Sequence, residues 1–149
     1  MDAYPHRYEV RATAGTEGSV TIASSGLPSL ATAPPPQFGG PGDQWSPETL
    51  FVAAAADCLI LTFRAVATAS KFSWVDIDCR AEGVLDRVDG VTRFTGLDLA
   101  VRLTVPPGTD ADRARRLVEK AEKACLVTNS MRLEPSLAVE VVHAETAAG

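Results

Sequence analysis

Cysteine and histidine are scarce in this sequence. Its 149 residues include three cysteines, Cys58, Cys79 and Cys125, and two histidines, His6 and His143. An odd count of dispersed thiols is not a secreted disulfide framework, and no CxxC or Cys/His cluster has zinc-ligand spacing. The histidines lie near opposite ends and read as surface residues, so no metal is expected. Positive charge is also short. Lys plus Arg is 14 against 19 Asp plus Glu, a net charge of −5 with pI near 5.0, which offers no electrostatic footprint for nucleic acid or anionic lipid. Long hydrophobic runs are missing as well. The longest apolar stretch, Leu50 to Phe63, contains Asp57 and is bounded by Glu48 and Arg64. It falls short of the roughly 18 to 20 apolar residues that cross a bilayer. The opening residues, Met1 to Arg7, lack the apolar region of a signal peptide. These features predict a cytoplasmic protein with neither nucleic-acid nor membrane partners.

Apolar residues make up 46% of the chain and charged residues 22%, enough apolar side chain to form a core in one domain of ordinary size. Near the N-terminus, Tyr8, Val10 and Ala12 alternate with charged residues. A Gly-bearing turn, Ala14-Gly15-Thr16-Glu17-Gly18, leads into Val20-Thr21-Ile22, which predicts a hairpin. Residues 27–48 hold six of the ten prolines plus Gly39, Gly40 and Gly42, and read as an ordered wrapping loop rather than helix or central strand.

Ser46-Pro47-Glu48 then supplies an N-cap, a proline at the first helical position and an acid in the first turn. From Leu50 to about Ser70 there is no Gly or Pro. Phe51, Ala54, Ala55, Cys58, Leu61, Thr62, Ala65, Val66 and Ala69 recur at helical spacing and are taken as the core-facing stripe. The other side is also apolar (Val52, Ala53, Ile60), so the helix is expected to be covered on most sides.

Alternation at Val75, Ile77, Cys79, Ala81, Gly83 and Leu85, a turn at residues 86–90, and alternation from Leu97 to Val105 predict a second hairpin. Asp110 is placed to cap a second helix with Ala114, Leu117, Val118, Ala121 and Cys125 on one face, and Leu137 to Val141 forms a last strand. The predicted fold class is α+β, with antiparallel strands dominating.

Phosphate-binding glycine loops, nucleophile elbows and HExxH motifs are all absent. The remaining candidate chemistry is sulfur. Cys58 and Cys125 lie on the stripes of two helices, and packing either brings the thiols together or buries each as a small inert hydrophobe.

Two motifs carry a family resemblance. The run Phe38-Gly39-Gly40-Pro41-Gly42-Asp43-Gln44-Trp45-Ser46-Pro47-Glu48-Thr49-Leu50-Phe51, with Cys58 ten residues after Glu48, resembles the central-helix motif of the OsmC/Ohr family. Ala124-Cys125-Leu126-Val127-Thr128-Asn129-Ser130 resembles that family's second cysteine motif. The resemblance covers most of the chain and implies a single OsmC-like domain over 1–149, folded as an intertwined α+β homodimer. It implies a peroxidase that reduces organic hydroperoxides with a thiol reductant (a dithiol or lipoyl-type thiol), without metal or cofactor. By position, Cys58 is the peroxidatic thiolate, Cys125 the resolving cysteine and Glu48 the acidic residue of a proline–glutamate pair.

A mid-helix cysteine gains little from the helix N-terminus, so a nearby cation is expected to stabilise the thiolate. The resemblance implies an arginine in the first hairpin turn; here Thr16 stands roughly at that place, and Arg7 and Arg11 are the candidate substitutes. Arg64 is six positions from Cys58, about 240° around the helix, and points elsewhere. Ten helical residues rise about 15 Å, so Glu48 either joins Cys58 from a second subunit or serves only its own helix N-terminus. Cys79 shares the strand face of Val75 and Ile77 and reads as core. Trp45 and Phe38 either line an apolar pocket or anchor the loop. The alternative function is a non-catalytic OsmC-like protein that binds a small apolar ligand at the dimer interface.

Overall fold

The computed structural model describes residues 1–146. The chain divides into two units, Met1–Phe51 and the residues from Val52 onward, and the boundary falls inside the long helix.

In the first unit, β1 (Arg11–Thr13), β2 (Val20–Ala23) and β3 (Leu30–Thr32) form an antiparallel sheet in that order, with Ala12 opposite Ile22 and Thr21 opposite Ala31. The first two strands are the expected hairpin. β3 lies inside the stretch expected to be loop. It occupies a short proline-free window between Pro28 and Pro34, too brief for alternation to reveal. A 3₁₀ turn at Pro36–Phe38 follows and ends at Gly39, whose φ of 81° suits glycine. Gly40 is required for a different reason: a Cβ there would collide with the Pro34 carbonyl. The loop then returns to β3, where the Ala33 N–H donates to the Trp45 carbonyl at 2.9 Å.

The helix α1 spans Pro47–Ala69. Ser46 and Thr49 cap it reciprocally. The Ser46 Oγ accepts from the Thr49 N–H at 3.1 Å, and the Thr49 Oγ1 accepts from the Ser46 N–H at 2.9 Å, satisfying donors that a helix start otherwise leaves unpaired.

In the second unit, β4 (Asp76–Val88) and β5 (Val91–Val105) form a long antiparallel hairpin. Its turn is only Asp89-Gly90, both at positive φ, the geometry that matches strand twist in a two-residue connection. The strands therefore run further into residues 86–90 than expected. The register shifts between Val84 and Leu85, where β5 accommodates Thr95 as an extra residue. Beyond Gly108 come α2 (Ala111–Ala124), α3 (Leu126–Asn129) and β6 (Ser136–His143). Asp110 caps α2 as expected, accepting from the Asp112 N–H at 2.9 Å and the Arg113 N–H at 3.3 Å. The strand β6 pairs parallel with β5, so this sheet is mixed although antiparallel pairing dominates.

Leu97, Leu99, Val101, Leu103 and Val105, alternate residues of β5, join Ala114, Val118 and Ala121 of α2 in the core. α1 contributes Ala55, Leu59, Phe63 and Ala67, all essentially fully buried. This corrects the expected stripe: Ala54, Leu61 and Ala65 are exposed, while Cys58 and Thr62 are half-buried beside a surface cleft. A helix apolar around its whole circumference carries no phase signal, and the true core face is displaced from the expected one. By length and composition α1 is apolar enough to cross a membrane, but its fourth-residue spine packs in the core.

Candidate redox site

Each cysteine of the expected pair is held by a different device. Cys58 stands in the middle of α1, one helical turn before Thr62. Cys125 does not lie on the second helix, as expected, but just past it. Its backbone is extended (φ −66°, ψ 111°), ending α2 and serving as N-cap of the single turn α3. There its N–H donates to the Glu122 carbonyl at 3.2 Å, and its carbonyl accepts from the Asn129 N–H at 3.0 Å and the Thr128 hydroxyl at 3.2 Å. The start of α3 leaves the N–H groups of Leu126 and Val127 without intrahelical partners. Both residues line the cleft beside Cys58, where their N–H groups favour its thiolate form.

The two thiols are neighbours close enough to shift each other's acidity. Burial pushes the Cys58 thiol up, but hydrogen bonds from the Cys125 thiol, the Val127 N–H, the Thr62 hydroxyl and the Leu126 N–H outweigh it and hold Cys58 below the ordinary thiol range. The Thr62 oxygen is 3.8 Å from the sulfur. Cys125 moves the opposite way. Burial raises it, contact with Cys58 adds to the rise, and hydrogen bonds from Thr128 only partly oppose it. Of the two, Cys58 is the more acidic and Cys125 the less. The expected cation is replaced, among the groups that lower Cys58, by neutral donors.

Cys58 opens onto a cleft of about 480 Å³. Ala54, Leu61 and Ala65 of α1 and Leu126 and Val127 of α3 form its apolar walls, and Asp57 and Thr62 are its other polar groups. A nucleophilic sulfur with fixed donors beside an apolar cleft can attack a small electrophile that has an apolar body.

The remaining candidates are placed elsewhere. Cys79, on β4 opposite Val101, is partly buried against the core, as expected. Burial and the neighbouring Asp78 push its thiol up to about 11. Glu48 lies in the first turn of α1 and, with Phe38, Pro34 and Thr32, lines a hollow of about 330 Å³ in the first unit. Its Oε2 is buried and has no hydrogen-bond partner among the described residues. Trp45 is tied to β3 through its backbone while its side chain stays exposed. Arg7, Arg11 and Thr16 are exposed. His6 and His143 are also exposed, and each bonds a backbone carbonyl. Among the described residues no three His, Cys, Asp or Glu side chains are grouped to hold a metal. Backbone donors were the part of the site missed in the sequence; Thr62, four residues after Cys58, was the one side-chain signal for them.

The fold and the paired thiols define an α+β protein of the OsmC-like class. The chain belongs to the OsmC-like protein family, whose model matches residues 40–140. An uncharacterised protein of Acinetobacter baylyi is 30% identical over 132 residues, covering 89% of this chain and 90% of that protein. Peroxiredoxin OsmC of Escherichia coli is 30% identical over 92 residues, 62% of this chain and 64% of that protein. A solved organic hydroperoxide resistance protein OsmC from Legionella pneumophila matches with a TM-score of 0.74 at 28% identity, over 94% of this chain and 99% of that one.

Proposed function

We propose that this protein is a thiol-dependent peroxidase that reduces organic hydroperoxides. The observation that carries the reading is the pair of neighbouring thiols with opposed acidities, Cys58 lowered and Cys125 raised, beside an apolar cleft. The names of the Escherichia coli and Legionella pneumophila relatives, a peroxiredoxin and an organic hydroperoxide resistance protein, support it.

In the first step the Cys58 thiolate attacks the outer oxygen of ROOH. An S–O bond forms, the O–O bond breaks, and the alkoxide takes a proton to leave as ROH, with Cys58 oxidised to the sulfenic acid. The Cys125 sulfur then attacks Cys58. An S–S bond forms, the S–O bond breaks and water leaves. An external dithiol, of simple or lipoyl type, returns both cysteines to thiols and is itself oxidised to a disulfide. No cofactor takes part.

The reading treats residues 1–149 as one functional domain working as a cytoplasmic homodimer. Exposed Tyr8, Val10, Leu27, Phe38 and Leu61 are the apolar surface that a second subunit would cover. Glu48, with its unpartnered carboxylate oxygen, is proposed to accept a hydrogen bond from the second subunit and so to complete that subunit's site.

Single-turnover thiol consumption tests the reading. Stoichiometric loss of two thiols with an alkyl hydroperoxide, faster than with hydrogen peroxide, is expected. Absence of loss with either would overturn it in favour of a ligand-binding protein with inert thiols.

A further inference from the structure

Asp57 precedes the reactive cysteine in sequence and lines the same cleft. It is exposed and forms no ion pair among the described residues. Apart from Cys58 itself, the other lining residues carry no charged group: the walls are aliphatic, and Thr62 contributes only a hydroxyl. The closest cation along the same helical face is Arg64, seven residues on, about 10.5 Å of helix rise from Asp57 and not part of the lining. That separation is close to a Debye length at moderate salt, so Arg64 compensates Asp57 weakly. The Asp57 charge adds to that of the Cys58 thiolate, and low-dielectric walls focus its potential into the cleft.

We infer that Asp57 is a charge filter at the mouth of the Cys58 cleft, favouring uncharged organic hydroperoxides over those bearing a carboxylate. The hydroperoxide part of this inference rests on the proposed peroxidase activity; the charge filter itself does not. A carboxylate-bearing molecule with its reacting atom at Cys58 and its charge some 4 to 7 Å from Asp57 meets a repulsion equivalent to about three- to sixfold in rate in a largely aqueous setting. A neutral ester of the same molecule meets none.

The experiment needs no turnover. The full-length reduced protein is alkylated with iodoacetamide, which is neutral, or iodoacetate, which is anionic. Modification at Cys58 is quantified by peptide mapping, and the ratio of rates is normalised to that of 2-mercaptoethanol. The expected result is a bias against iodoacetate of about three- to sixfold that shrinks as salt rises, collapses in Asp57→Asn and persists in Asp57→Glu. A normalised ratio near one in the unaltered protein would overturn the inference. So would a bias that survives Asp57→Asn, since the discrimination would then come from elsewhere.

A second arm compares a carboxylate-bearing hydroperoxide with its methyl ester, and the ratio of consumption rates is expected to follow the alkylation ratio. If neither hydroperoxide is consumed while the alkylation bias behaves as expected, the peroxidase reading fails and the filter stands. If both are consumed at equal rates in the unaltered protein, the filter fails and the peroxidase reading stands.

Discussion

Cys58 and Cys125 are neighbours that shift each other's acidity in opposite directions, lowering Cys58 and raising Cys125. The more acidic thiol is the half-buried one at the cleft, and the less acidic is fully buried, which matches the proposed division into nucleophile and resolving thiol.

Alkylation should follow that order. Because Cys58 is lowered, its thiolate is present at pH values where an ordinary thiol is still protonated. Hydroperoxide consumption should therefore rise with pH and level off below the ordinary thiol range. Cys58 should be labelled first as pH rises, and Cys79, with its value near 11, should resist labelling in the folded state. Mass mapping after iodoacetamide treatment at stepped pH checks both statements.

Position 125 separates donor from nucleophile. Cys125→Ser retains an O–H that can donate to Cys58 but cannot form a disulfide, so it should leave a sulfenic acid that a dimedone-type probe captures. Cys125→Ala loses the donor too, and its Cys58 value should rise relative to the serine variant. One equivalent of organic hydroperoxide on the unaltered protein should give a Cys58–Cys125 bridge within one chain, with Cys79 still reduced.

Thr62 offers a smaller test. Removing its hydroxyl in Thr62→Val deletes one of the groups lowering Cys58. Loss of one hydrogen bond, worth about 0.5 to 1.5 kcal/mol, should raise the Cys58 value and slow its alkylation about two- to tenfold. Thr62→Ser should recover most of the rate.

Much of this architecture is legible in the sequence. Ser46-Pro47 marks the start of α1, Asp110 caps α2, and both antiparallel hairpins show through alternation and glycine-bearing turns. The phase of α1 does not show, because Leu59 and Phe63 are no more apolar than residues on the cleft side. β3 is too short to alternate, and the parallel course of β6 depends on partner choice rather than on its own pattern. The Leu126 and Val127 N–H groups have no letter of their own in a sequence. They matter because the chain turns out of helix at Cys125, and that turn places the thiol as well.

Gly83 gives a stability test away from the cysteines. A Cβ there would come within 2.7 Å of Val52 Cγ2 and 2.8 Å of Phe94 Cε1. Gly83→Ala should therefore destabilise the protein by about 1 to 3 kcal/mol, the range for overpacking, as measured by urea unfolding at neutral pH.

Alkaline pH should weaken the fold through Cys79. Its value is raised from 9.0 to about 11 in the folded protein. Its contribution to stability is present below the unfolded value and is lost as pH rises from about 9 through about 11. Cys79→Ala should flatten that part of the pH–stability curve.

The hairpin β4–β5 closes through two residues, whereas β6 joins β5 only after the chain has passed through α2 and α3. Neighbouring segments find one another on a microsecond scale, and distant pairings are slow because loop entropy is lost before contacts form. Cys125 belongs to the late-arriving stretch. On a growing polypeptide Cys58 is made well before Cys125, so the two thiols can meet only near the end of folding.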